Sequence, residues 1–359
     1  LLYRFVFDFY FFNHLMKASY KRHLLKFINP GGTSRGVLTE KETWFLILKD
    51  GTKTGIGECG LFRGLSADDL PNFEFHLKNL CDRINRGETI DLGTLKNFPS
   101  LQMGFEMAVL SLRGDNPFEL FPSSFTTSKD TIPINGLVWM GAIDFMKTQI
   151  REKIAQGYGC LKLKIGALEF SNELALLKEI RNEFSVDQMI IRVDANGGFS
   201  PHDVMDKLEA LADLEIHSIE QPIKVNQHYV LSEICSKTPI PIALDEELIG
   251  VFDKKDREAL LDTINPQFIV LKPSLLGGFS SSQQWIQLAS ERSIGWWVTS
   301  ALESNIGLNA IAQWTYQLGV SSYQGLGTGS LFSNNIDSPL EVKQGRLTFN
   351  LNSEWNTKF

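Results

Sequence analysis

The sequence predicts an α/β fold, a (β/α)8-type barrel preceded by a smaller α+β unit. Five short apolar runs each end on a charged residue followed by a loop signal. Those ends, Lys164, Asp194, Glu220, Asp245 and Lys272, recur every 25 to 30 residues, about the length that a strand, a helix and two connections need. Each gap carries helical periodicity, so the repeating unit is βα. The chain has 359 residues, more than the roughly 250 of a single barrel, which leaves room for a second unit.

The N-terminal fifteen residues are apolar but interrupted by Arg4, Asp8 and His14. They are too short and too broken to span a bilayer, and no small-residue cleavage site follows an unbroken apolar core. Met16-Lys17 reads as an ordinary start, so residues 1–15 are expected to be an N-terminal extension, with a secretory signal as the alternative. Lys17 to Asn29 reads as a strand, followed by the loop Pro30-Gly31-Gly32-Thr33-Ser34-Arg35-Gly36, whose glycines permit a tight or mobile backbone. Thr43 to Leu48 is a second strand. Asp50-Gly51 turns into a third, which ends at Gly57-Glu58-Cys59-Gly60. That end either lines a pocket or is a plain strand end with a buried thiol. Helical periodicity then covers 67–87 and 100–113, the latter with Met103, Met107 and Leu110 on its apolar face. Strands followed by helices define an α+β unit over residues 16–125.

The barrel, assigned to 126–329, should open with a strand from Ile132 to Trp139 and a helix from Ala142 to Gln156 ended by Gly157. In the second strand, Leu161-Lys162-Leu163-Lys164-Ile165, the period of two puts both lysines on one face. Further helices are expected at 169–184, at 201–214 with Pro201 in the first turn after a Ser200 cap, and at 227–237. Strand seven runs from Gly295 to Ser300 and continues to Gly307. Strand eight is short, near Ser322-Tyr323, and leads into Gly325-Leu326-Gly327-Thr328-Gly329. The tail, 330–359, contains two more strand-like runs at 340–342 and 346–349.

The strand C-termini of such a barrel form one mouth, so the five charged ends should converge there. Three crowded carboxylates repel one another unless a cation sits among them. With no Cys or His at these positions, Asp194, Glu220 and Asp245 favour Mg²⁺, or Mn²⁺, over Zn²⁺. Any one of them could simply cap a helix, but capping does not explain three at matched strand ends. A lysine in a dry mouth beside a second lysine and a metal has its ammonium disfavoured, which makes Lys164 the candidate base. The plainer reading is a snorkelling lysine paired with a carboxylate. Lys162 points the same way, Lys272 lies across the mouth, and Asn196 and Glu246 are candidates for orienting the ligands or Lys272. No histidine falls at a strand end, and none is assigned to chemistry.

A net charge of −7 gives no support to nucleic-acid binding through a basic face. The four cysteines lie far apart without a C-x-x-C spacing, which points to a reduced, cytoplasmic protein. No membrane insertion is expected, and the sequence does not set an oligomeric state.

Lys162-x-Lys164, Asp194-Ala-Asn, Glu220-Gln-Pro, Asp245-Glu and Lys272-Pro, in this order, resemble the muconate-lactonizing subgroup of the enolase superfamily, over nearly the whole chain from about Met16. The resemblance implies that the α+β unit is a capping domain over the barrel mouth, completed by the C-terminal tail. It also implies proton removal beside a carboxylate through an ene-diolate, with Mg²⁺ as cofactor. Dipeptide epimerases of the subgroup carry Asp-x-Asp at the end of strand eight, and Gly325 to Gly329 supplies no such pair. The stretches Gly31 to Leu38, Gly325 to Gly329 and Leu331 to Asn335 are most similar to the o-succinylbenzoate synthases. That likeness implies a carbon–oxygen lyase of menaquinone biosynthesis acting on a small-molecule carboxylate. Lys164 would then remove a proton and return it to a departing hydroxyl, Lys272 would stay protonated against the dianion, and Lys162 would face the substrate carboxylate. Arg35, Ser300, Glu303, Gly327 and Thr328 are the expected substrate contacts. The alternatives are an N-acylamino acid racemase or dipeptide epimerase on the same scaffold and, remotely, a non-catalytic ligand-binding barrel.

Overall fold

The computed structural model describes residues 16–33 and 36–356. The expected extension at 1–15 and the expected substrate contact at Arg35 lie outside the described residues. Strands β1 (Lys17–Thr33), β2 (Gly36–Asp50) and β3 (Lys53–Cys59) form an antiparallel sheet in that order. The first two are longer than their apolar runs suggest. Pro30 to Thr33 belong to β1 and Gly36 opens β2, where pairing resumes past a bulge with Gly31 opposite Leu38 and Gly32 opposite Val37. The reason is tertiary: the Met140 amide donates to the Gly32 carbonyl at 3.2 Å, and a Cβ on Gly32 would come within 2.2 Å of the Met140 carbonyl oxygen. Glycine thus lets the hairpin lie directly on the barrel.

Helices α1 (Phe73–Asn85) and α2 (Pro99–Arg113) cover one face of this sheet. They enclose a core of Trp44, Leu46, Leu48, Leu77 and Phe105.

β4 (Ile132–Pro133) leads into the barrel strands β5 (Gly136–Val138), β6 (Cys160–Lys164), β7 (Ile190–Asp194), β8 (Ser218–Glu220), β9 (Ile242–Leu244), β10 (Phe268–Leu271) and β11 (Gly295–Val298). β5 to β11 form a parallel sheet in sequence order. Between and after them run α3 (Ile143–Ala155), α4 (Phe170–Glu183), α5 (Val204–Ala212), α6 (His228–Lys237), α7 (Lys254–Ile264), α8 (Pro273–Leu276), α9 (Gly278–Ser290) and α10 (Asn305–Gln317). Leu161, Leu163, Ile191, Val193 and Ile219 are buried in the core beneath the helices, which turns the alternate residues Lys162 and Lys164 inward.

Four local expectations are corrected. The eighth strand is reduced to Gln324 and Gly325, which bridge in parallel to Ile134 on one side and Thr299 on the other and so close the ring two residues later than expected. The strand expected at 132–139 divides, because β4 leaves the barrel to pair with the tail. β11 ends at Val298 and does not continue to Gly307, because the Ser304 hydroxyl accepts the Ile306 amide and starts α10. Ser200 accepts from His202 and caps a turn over 201–203, so α5 begins only at Val204.

The tail has two destinations. Phe332 bridges to Phe27, and Ser333 and Asn334 bond to Lys26 and Leu24 on the edge of β1. β12 (Leu340–Lys343) and β13 (Arg346–Phe349) then form a hairpin paired with β4, at the barrel's opposite rim. No helix among the described residues is long and apolar enough to cross a membrane. All four cysteines are free and buried.

Candidate active site

Parallel register sets Lys164 opposite Asp194 and Asp194 opposite Glu220, so the charged ends of β6, β7 and β8 lie side by side. Asp245 follows β9 directly. One carboxylate oxygen from each of Asp194, Glu220 and Asp245 lies within 4.8 Å of the others, and all three residues are buried. The chain leaves β7 and β8 through left-handed turns, with φ of 44° at Asn196 and 37° at Gln221. Non-glycine residues rarely adopt this conformation outside constrained sites. The turn at Asn196 aims its amide at Asp194 Oδ1, 3.0 Å away.

Three lysines interleave with the carboxylates. The Lys162 ammonium spans Asp194, at 2.9 Å, and Glu220. Lys164 donates to Asp194 Oδ2 at 2.6 Å and to Asn196 Oδ1 at 2.8 Å. Lys272 donates to Asp245. Asn196 Nδ2 donates to Glu246 Oε1 at 2.8 Å, so Asn196 and Glu246 hold the rim of this cluster.

Burial lowers the Lys164 ammonium below the ordinary lysine value. Lys162 and Lys272 reinforce that shift, and Asp194 opposes it without overcoming it. Burial also disfavours charge on Lys162, but Asp194, Glu220 and Asp245 outweigh it and hold that ammonium above the usual range. Lys272 is raised in the same way, its burial outweighed by Asp245 and Glu246. Burial works against the Asp194 carboxylate, yet the three lysines hold it well below the usual range. Glu220 is pushed up to about 7, mainly by burial, with Asp194 and Asp245 adding repulsion. A lysine shifted toward neutrality beside two whose charge is favoured is an arrangement able to take a proton from carbon.

The residues present fit a divalent metal. Glu220 Oε1 is buried without a hydrogen-bond partner, an orphaned oxygen that a cation would satisfy. The donor set is entirely hard oxygen, as Mg²⁺ and Mn²⁺ prefer.

The lysines face a cavity between cap and barrel. Its other walls are largely apolar, with Leu38, Phe62 and Leu65 from the cap and Leu137, Trp139, Leu275 and Leu302 from the barrel. Among the expected substrate contacts, Ser300, Gly327 and Thr328 line it. Glu303 does not, which corrects that expectation. Its fully buried carboxylate instead accepts the Ser300 hydroxyl at 2.6 Å from behind. Sequence reasoning missed Asn135, Thr299 and the three cap side chains. A polar residue inside an apolar run could have marked Asn135, but the cap contacts depend on docking and leave no local signal.

The ring of strand ends, with its carboxylate triad and facing lysines, defines an enolase-type barrel enzyme. Residues 146–352 match the family described as "Enolase C-terminal domain-like", and the chain belongs to that family. It is 47% identical over 363 residues to the o-succinylbenzoate synthase of Desulfotalea psychrophila, covering 92% of this chain and 98% of that one. The crystal structure of MenC from the same organism superposes with a TM-score of 0.84 at 45% identity, covering 93% of this chain and 99% of that one. The L-amino acid-D/L-Glu epimerase of Francisella philomiragia is 31% identical over 282 residues, covering 74% of this chain and 76% of that one.

Proposed function

We propose that this protein is a metal-dependent lyase that dehydrates 2-succinyl-6-hydroxy-2,4-cyclohexadiene-1-carboxylate to 2-succinylbenzoate, an o-succinylbenzoate synthase of menaquinone biosynthesis. The observation that carries this reading is the Lys164–triad geometry in a chain 47% identical to such an enzyme. Asp194, Glu220 and Asp245 would hold Mg²⁺, with Mn²⁺ as a substitute. When bound, the ion supplies positive charge to the substrate carboxylate as it becomes an ene-diolate.

Lys164 Nζ takes the proton from the carbon next to the carboxylate, and the electron pair of the broken C–H bond moves into the carboxylate. The C–O bond to the hydroxyl then breaks. Lys164 returns its proton to the departing oxygen on the same face, water leaves, and the ring becomes aromatic. Lys272 remains an ammonium and stabilises the dianion, and Lys162 faces the substrate carboxylate. The apolar cavity walls exclude water from the carbanion-like intermediate.

An ultraviolet assay of cyclohexadiene aromatisation, with and without chelator, tests the reading. Turnover that chelator abolishes and Mg²⁺ restores is expected; the absence of turnover, or indifference to chelator, would overturn it. The racemase or epimerase alternative draws on the epimerase relative and on lysines that face each other across the mouth. Solvent deuterium exchange into acylamino acids without dehydration would establish it instead. Gly325 to Gly329 offers no carboxylate to grip an ammonium, which weighs against dipeptides.

A further inference from the structure

A carboxylate of the cap reaches the barrel without entering any step above. Glu58, the penultimate residue of β3, is fully buried. It accepts from Thr43 Oγ1 at 2.8 Å, from the Ser304 amide at 2.9 Å, from the Ser304 hydroxyl at 2.5 Å and from the Gly307 amide at 2.8 Å. Ser304 is the N-cap of α10 and Gly307 lies in its first turn, where backbone amides lack partners within the helix and the helix dipole favours an anion. Glu58 therefore caps a barrel helix from another element of the fold.

The four residues from Thr299 to Leu302, just before this cap, all line the cavity. Their conformation is constrained. Leu302 is held at a φ of 63°. Ser300 accepts the Leu302 amide at 3.0 Å and the Thr328 hydroxyl at 2.9 Å while donating to Glu303. We propose that Glu58 is a positioning residue: by tying the cap sheet to α10 it fixes the Thr299–Leu302 wall against which substrate is seated, so substrate affinity depends on cap docking. The metal carboxylates and the three lysines lie on β6 to β10 and their following loops. The lysines share the cavity with this segment, but none of the side-chain hydrogen bonds described above for lysines or carboxylates goes to it, so the wall can shift without breaking a contact of the base or of the metal carboxylates.

The proposal rests on the dehydratase reading for its substrate. The test compares the full-length parent with Glu58→Gln in steady-state dehydration and in calorimetric Mn²⁺ binding without substrate. The expected result is a KM raised about 10-fold or more, with kcat within about threefold and Mn²⁺ affinity unchanged. A KM within about twofold of the parent overturns the proposal. So does a fall in kcat and Mn²⁺ affinity in step with the rise in KM, because that marks general loosening. Should Glu58→Gln fail to fold, Ser304→Ala, which keeps the carboxylate but removes one of its donors, is judged by the same criteria. A parent that does not dehydrate removes the reading and this proposal together; an active parent with an unaltered Glu58→Gln variant removes this proposal alone.

Discussion

At the scale of the residue, Lys164 is distinguished from its neighbours by what surrounds it. Lys162 touches two carboxylates and stays charged, whereas Lys164, two residues along the same strand, contacts one carboxylate and one amide and is drawn toward neutrality by burial. Lys164→Ala is therefore expected to lower dehydration by about 10³-fold or more while leaving calorimetric Mg²⁺ binding in place. Near-normal turnover by that variant would remove the assignment. Asn196 bonds Asp194, Lys164 and Glu246 at once. Asn196→Ala keeps the backbone amide on Asp194 and removes only the side-chain bonds to Lys164 and Glu246, so it is expected to lower dehydration while Mn²⁺ affinity, read by titration of the unliganded protein, stays near the parent's. The alternation that turns both lysines inward is a local property of five residues and is legible in the sequence. The partner of each lysine is set by strand register, and the sequence does not disclose it.

At the scale of the element, the cap and barrel meet through two buried carboxylates placed at consecutive helix N-termini. Glu58 serves α10, and Glu106 of α2 serves α9 by accepting from the Phe279 amide at 2.7 Å and the Ser280 amide at 3.2 Å. Burial pushes Glu106 up to about 7 from an ordinary value of 4.5. An acid whose folded value lies above its unfolded one contributes stability that is fully present below 4.5 and is lost as pH rises through about 7. Relative to Glu106→Gln, the parent should gain up to ~3 kcal/mol as pH falls from about 8 to about 5. Urea midpoints across that range measure the difference, and a parallel pH dependence of the two proteins would contradict it. The β3–α2 contact is equally specific: a Cβ on Gly57 would come within 1.8 Å of the Gly104 carbonyl oxygen. Gly57→Ala should therefore destabilise by about 3 kcal/mol, seen as a lowered urea midpoint. Neither contact could be read from the chain, because helix N-caps are expected from adjacent residues and these come from far away in sequence.

For the whole molecule, the three buried carboxylates come together only in the folded chain, so an ion they hold would bind the native state and not the unfolded one. Mg²⁺ at about 100 times its dissociation constant should stabilise the fold by ~2.7 kcal/mol. Thermal melts with Mg²⁺ and with chelator test this, and coincident melts would argue against a shared ion site. We propose a cap over 16–125, a barrel over 126–329 and a tail over 330–359, with the tail serving both: 332–334 on the edge of β1 and the β12–β13 hairpin on β4.

By itself the sequence determined the βα repeat, the α+β unit before it and the five polar strand ends, because strand alternation and repeat spacing are short-range and survive in a string of residues. Tertiary structure alone decided that the eighth strand shrinks to two bridged residues, that Glu303 stands behind Ser300 and away from the cavity, and that Leu38, Phe62 and Leu65 close the cavity from above. Each of these depends on how distant backbones pack, and packing is a property of the assembled chain that no local pattern encodes.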